Sequence, residues 1–118
     1  MSQGNRVLGP KDRRFTLHSE RVNAGEDIRV GVEGEMDLSV IDLVDREMER
    51  AEATDASRIL LDLDELEFMD AAGVRLLLRL NARSESNGGR LRITGSASRQ
   101  VRRVLDLTGV GELLPIQG

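Results

Sequence analysis

The chain has 118 residues, 39% of them hydrophobic and 32% charged, with 12 Gly, 2 Pro and a formal charge of −4. One domain of this length hides roughly two-thirds of the surface that it exposes when unfolded, so its core needs no disulfide or metal staple. It contains no cysteine, which excludes thiol catalysis and cysteine zinc sites, and a single histidine, His18, which leaves almost no material for a histidine-based triad or metal site.

The first ten residues, MSQGNRVLGP, hold no apolar signal core, and apolar runs end after four or five residues. A cytoplasmic protein that neither spans nor enters a membrane is expected. Residues 1–12 read as a mobile tail and residues 13–118 as a single domain.

Within that domain, Phe15 and Leu17 alternate with Arg14, Thr16 and His18, and Ile28, Val30 and Val32 alternate with Arg29, Gly31 and Glu33. This two-residue period predicts half-buried strands joined by a turn at Asn23-Ala24-Gly25. From Leu38 the period becomes helical: Leu38, Ile41, Val44 or Asp45, Met48 and Ala51 form a stripe, with Ser39 and Asp42 as a capping pair. A helix of about fifteen residues follows.

Arg58 to Leu63 (RILLDL) is apolar at Ile59, Leu60, Leu61 and Leu63, on both faces, as expected of a central strand covered by helices on both faces. After an acidic loop, Asp64 to Asp70, a second helix runs from Ala71 to Asn87, with Val74, Leu77, Leu78 and Asn81 on one face and Leu76 and Leu80 widening the apolar arc. Asp70 suits its N-cap, and Asn87-Gly88-Gly89 its stop. Arg75, Arg79 and Arg83 recur along its outer side as a basic stripe, open to reading as a docking strip or a solvated face. Leu91 and Ile93 mark another strand, Ser98 caps a last helix closed by Gly109, and Leu113, Leu114 and Ile116 suffice for a short terminal strand.

The order is that of an α/β protein with right-handed crossovers, whose ligands and partners meet the loops at the strand C-terminal ends. Two such loops are rich in acid and glycine: Gly34-Glu35-Met36-Asp37 and Phe68-Met69-Asp70-Ala71-Ala72-Gly73. They are expected to lie side by side. The acids Asp62, Asp64, Glu65 and Glu67 alternate in direction and lack an EF-hand turn, so no metal is expected. Gly31 with Gly34, and Gly109 with Gly111, fit no nucleotide fingerprint, so no cofactor is expected either.

Charge is unevenly spread. Residues 26–70 carry 16 acids against 4 arginines, a local balance of −12, whereas residues 71–118 carry 8 arginines against 3 acids, or +5. Such a split suits recognition of a charged protein partner or reflects a solvated surface. An acidic chain with two Phe and no Tyr or Trp argues against nucleic acid.

The segments VGVEGEMD (Val30 to Asp37), ILLDLDELEFMDAAGV (Ile59 to Val74), GGRLRITG (Gly88 to Gly95) and SRQVRRVLDLTGV (Ser98 to Val110) resemble the STAS domain family, specifically the bacterial anti-sigma factor antagonists, in order and spacing. The resemblance implies a STAS-like fold, a mixed sheet of about four to five strands flanked by about three helices. It also implies a non-enzymatic regulator that binds an anti-sigma factor of the serine-kinase type and frees a sigma factor. In that family, phosphorylation at the start of the second helix ends the competition. Family members read Asp-Ser-Ser-Gly or Asp-Thr-Ala-Gly there, whereas this chain has Asp70-Ala71-Ala72-Gly73, and alanine has no hydroxyl to modify. The partner surface expected from the two loops and the helix start comprises Glu35, Asp37, Met69, Asp70, Ala71, Ala72, Gly73 and Arg75. Rival readings are a STAS subunit docked on the ATPase of a lipid or solute ABC transporter, and a scaffold subunit of a signalling assembly. A homodimer is compatible with each.

Overall fold

The computed structural model describes residues 4–8, 14–95 and 98–117. In chain order the elements are β1 (Asn5–Leu8), β2 (Phe15–Val22), β3 (Asp27–Met36), α1 (Ile41–Glu52), β4 (Arg58–Asp62), β5 (Leu66–Met69), α2 (Ala71–Glu85), β6 (Leu91–Thr94), α3 (Arg99–Thr108) and β7 (Ile116–Gln117). Short 3-10 turns at Leu38–Val40 and Val110–Leu113 precede α1 and follow α3.

The strands form one mixed sheet in the order β1-β2-β3-β4-β6-β7, with β5 paired to β3. The pairs β1–β2 and β2–β3 are antiparallel and the rest parallel. The α/β architecture, the mixed sheet and the three helices agree with the sequence reading, and among the described residues the sheet counts seven strands where four to five are expected. Asn5–Leu8, assigned to a tail, pairs along Thr16–Ser19; residues 1–3 and 9–12 of that tail lie outside the described residues. The acidic segment 64–70, read as a loop, contains β5. At the other end of the chain Leu113 belongs to a 3-10 turn, and only Ile116–Gln117 pairs with β6.

Alternation decides which face of the sheet is covered. Leu17, Val30, Val32, Ile59, Leu61 and Ile93 are buried among Val44 and Met48 of α1 and Leu76, Leu77 and Leu80 of α2. The opposite face carries Thr16, His18, Glu20, Arg29, Glu33, Asp62, Arg92 and Thr94, half-buried or exposed. The expectation that RILLDL is covered on both sides is therefore corrected. Leu60, on the open face, stands in register between Arg29 and Arg92, whose aliphatic stems can shield it without a helix.

That open face is tied together by charge. Two guanidinium nitrogens of Arg29 donate to Asp62 Oδ2, at 2.8 and 2.7 Å, while Asp62 Oδ1 accepts from the Asp64 N–H (3.0 Å) and the Thr94 hydroxyl (3.1 Å). Desolvation pushes the Asp62 carboxyl up, but these donors and the Arg29 charge outweigh it and leave its pKa lowered. Asp27 is likewise held low: Asn23 donates to it at 2.7 Å, and this bond together with Arg58 outweighs its burial.

Candidate partner-binding site

The site is assembled where β3 and β5 end. These strands run parallel, with Glu35 opposite Phe68 and Met36 opposite Met69, after a register shift between Gly34 and Glu35. Gly34 has φ +92, and a Cβ there would collide with the Arg14 carbonyl oxygen. Its lack of a side chain lets the Glu35 N–H donate to that same oxygen at 2.7 Å. The Asp70 N–H donates to the Met36 carbonyl at 3.4 Å. Asp37 and Asp70 therefore leave the sheet as neighbours, as the sequence predicts.

Each aspartate caps the helical segment that follows it. Asp70 Oδ1 accepts from the N–H groups of Ala72 (2.9 Å) and Gly73 (3.2 Å), satisfying two donors that the first turn of α2 otherwise leaves open. Asp37 Oδ1 accepts from the Ser39 N–H (2.9 Å) and the Ser39 hydroxyl (2.6 Å). The expected cap at Ser39 is thus corrected: Ser39 is a donor to the cap, and α1 begins at Ile41 after a 3-10 turn.

Beneath the two aspartates, Met36 and Met69 are buried, and the first turn of α2 rests on them through Gly73. A Cβ at Gly73 would overlap Met69 and stand 3.1 Å from Met36 Cε. This changes the expected contact set. Met69, Ala72 and Gly73 are buried where the first turn of α2 packs on β5, small residues at that turn letting helix and strand approach closely. Glu35, Asp37 and Asp70 are half-buried, and Ala71 and Arg75 are exposed. Two exposed apolar side chains join them. Leu38 is 73% and Phe68 42% exposed. Leu38 reads as part of the helical stripe, and only the cap at Asp37 reveals that it points outward; Phe68 is obscured because two successive exposed residues, Glu67 and Phe68, break the alternation of β5.

Arg75, Arg79 and Arg83 are not one solvated or docking stripe. Arg83 lies 2.9 Å from Asp45 and 2.8 Å from Glu52, and Arg79 lies 3.4 Å from Asp45, so both clasp α2 to α1. Burial disfavours the Arg83 cation, yet the hydrogen bonds that it donates to Glu52 and Asp45, and their charge, raise its pKa. Two of the eight arginines of residues 71–118 are accordingly neutralised inside the molecule. Among the described residues no group of acidic or histidine side chains is disposed to hold a metal ion, and no helix is long and apolar enough to cross a membrane.

A family model described as "Mlab, STAS domain" matches residues 19–115. The chain belongs to the STAS domain family. An "Anti-sigma F factor antagonist" of Paenibacillus polymyxa is 30% identical to this STAS chain over 88 residues, which is 74% of each protein. The fold matches the crystal structure of an anti-sigma factor antagonist from Mycobacterium paratuberculosis with a TM-score of 0.74 at 22% identity, over 92% of this chain and 89% of that one. It also matches the anti-sigma factor antagonist SpoIIAA in its unphosphorylated form, with a TM-score of 0.66 at 24% identity, over 89% of both chains. Both likenesses support the STAS architecture; the paired aspartates and the exposed helix start are read from this chain itself.

Proposed function

We propose that this STAS chain is an anti-sigma factor antagonist that binds an anti-sigma factor of the serine-kinase type and so releases a sigma factor in the cytoplasm. The observation that carries this reading is the ledge formed by Asp37 and Asp70, half-exposed side by side, with Ala71 exposed at the first position of α2. Leu38 and Phe68 supply apolar anchors at its rim, and Arg75 a cation one turn along α2. An interface of standard size buries roughly 800 Å² per partner, its energy concentrated in a few anchors ringed by polar groups. The ledge supplies such a centre. Because residue 71 is alanine, a kinase partner finds no hydroxyl at the position that carries the switch in the relatives' pattern, and the binding-competent form stays available. On this reading the chain works by occupancy, without catalysis of its own.

Affinity purification from native cell extract, with the wild type and Asp37→Asn compared, tests the proposal. Retention of a kinase-type anti-sigma factor by the wild type and its loss from the variant is the expected result. Retention of a transporter ATPase instead replaces the reading with that of a transporter subunit. Retention of a large assembly by both proteins favours a scaffold.

A further inference from the structure

The outer face of α3 carries arginines that neither the core nor the helix itself uses. Arg99, Arg102, Arg103, Asp106 and Leu107 stand at positions i, i+3, i+4, i+7 and i+8 and share one side of the helix. All five are exposed, Leu107 by 77%, and they form one continuous outward surface. Val101 and Leu105 are buried on the opposite side. The helix is held in place at its start, where the Ser98 hydroxyl accepts from the Val101 N–H at 3.1 Å and donates to the Leu66 carbonyl at 2.7 Å.

Helix stability does not account for the basic residues. Cations are favourable near the C-terminal end of a helix and unfavourable near its N-terminal end, yet Arg99 is the first residue of α3, and Arg102 and Arg103 follow within the next turn. Internal pairing does not account for them either. Arg14, Arg29, Arg58, Arg79 and Arg83 each meet a carboxylate, whereas Arg99, Arg102 and Arg103 form no ion pair among the described residues.

We infer that the outer face of α3 is a docking surface for an acidic protein segment bearing a large apolar side chain, its carboxylates taken by Arg99, Arg102 and Arg103 and its apolar group set against Leu107. Guanidinium forks match carboxylates in geometry as well as charge. Asp64, Glu65 and Glu67 share a cleft with Arg99 and Arg103, and the chain is acidic overall. An extended polyanion or an anionic membrane laid along α3 would meet that acidic wall, which a short segment with few carboxylates avoids. The inference is independent of the function proposed above.

Fluorescence anisotropy with the full chain tests it, using as probe a synthetic helical peptide in which glutamates one turn apart are flanked by leucines. Saturable binding that weakens steeply with salt is expected. Arg102→Ala/Arg103→Ala should weaken it at least about tenfold and Leu107→Ser about threefold or more, with thermal midpoints not lowered because these side chains are solvated. The absence of saturable binding, or wild-type affinity in the double variant, overturns the inference. So does equal binding of a peptide with its leucines replaced by serine, which marks a general polyanion site, or preferential binding to phosphatidylserine vesicles, which marks a membrane surface.

Discussion

Met36 and Met69 are register partners in the parallel pair β3–β5, and the residue after each is an aspartate that caps the next helical segment. One pairing therefore sets two carboxylates side by side at the sheet's edge and starts two helices there. The paired methionines also form the floor on which Gly73 rests. Position of the site and packing of the core share the same residues, which separates variants that move one from variants that move both.

Asp37→Asn keeps an oxygen able to accept from Ser39 and removes only the charge, so the cap is retained and stability should change by less than about 0.5 kcal/mol. Asp70→Ala leaves the Ala72 and Gly73 N–H groups without their acceptor and should cost about 1 kcal/mol, a fall of about 5 °C in Tm. Calorimetric melting of the two variants beside the wild type checks both values. A loss in Asp37→Asn as large as that in Asp70→Ala would show that its charge, not its oxygen, holds the turn.

Gly73→Ala sets two effects against each other. In an open helix, replacing Gly by Ala stabilises by about 1 kcal/mol, but here the new Cβ would overlap the Met69 side chain near its root, at Cγ, and overpacking costs about 1–3 kcal/mol. Steric overlap at so short a distance takes the upper part of that range, and urea unfolding should show a net loss of up to about 2 kcal/mol. A more stable variant would mean that Met69 moves aside freely and that the floor of the site is soft.

The lowered pKa of Asp62 fixes a sign for the pH dependence. Its folded pKa lies below the unfolded value of about 3.9, so the unfolded chain binds more protons in acid. The stabilisation is complete above that unfolded value and is lost as pH falls through the folded one. Asp62→Asn, which also frees Arg29 from its partner, should be less stable at neutral pH and should lose less stability on acidification to about pH 3. Urea midpoints at both pH values decide it; parallel curves for the two proteins would place the acid sensitivity elsewhere, with Asp27 the next group to test.

Ala71→Ser restores a hydroxyl at an exposed position behind the Asp70 cap. Incubated with a kinase-type anti-sigma partner and ATP, it should gain one phosphate by intact mass, whereas the wild type stays unmodified at residue 71. Phosphate on the wild type at another hydroxyl of the ledge would relocate the switch rather than remove it.

Much of this fold is legible in the sequence because single residues act as punctuation. Ser98 caps α3, Gly109 ends it at φ 74, and the apolar run from Ile59 to Leu61 lies in a strand beside β3. The adjacency of the two acidic loops is legible too, since parallel strands bring their C-terminal ends together. Pairing across the sheet is not. Leu60 looks like a core residue until Arg29 and Arg92 stand beside it in register, and β5 is too short and irregular for a period to appear. The arginines of α2 divide by partners on α1 that lie 31 to 38 residues away, which no local pattern contains.

The central claim is that the start of α2 faces the partner. Glutamate at residue 71 suits the helix N-terminus by about 0.3–1 kcal/mol, but a second carboxylate about 5 Å away repels it by roughly 3 kcal/mol at an effective dielectric of 20, and both Asp70 and Asp37 are close by. Titration calorimetry of Ala71→Glu against the purified anti-sigma partner is the most direct measurement. A fall in affinity of at least about tenfold, close to 1.4 kcal/mol, with the variant still folded, is the predicted result. Wild-type affinity in that variant would contradict it and turn the partner away from this end of the sheet.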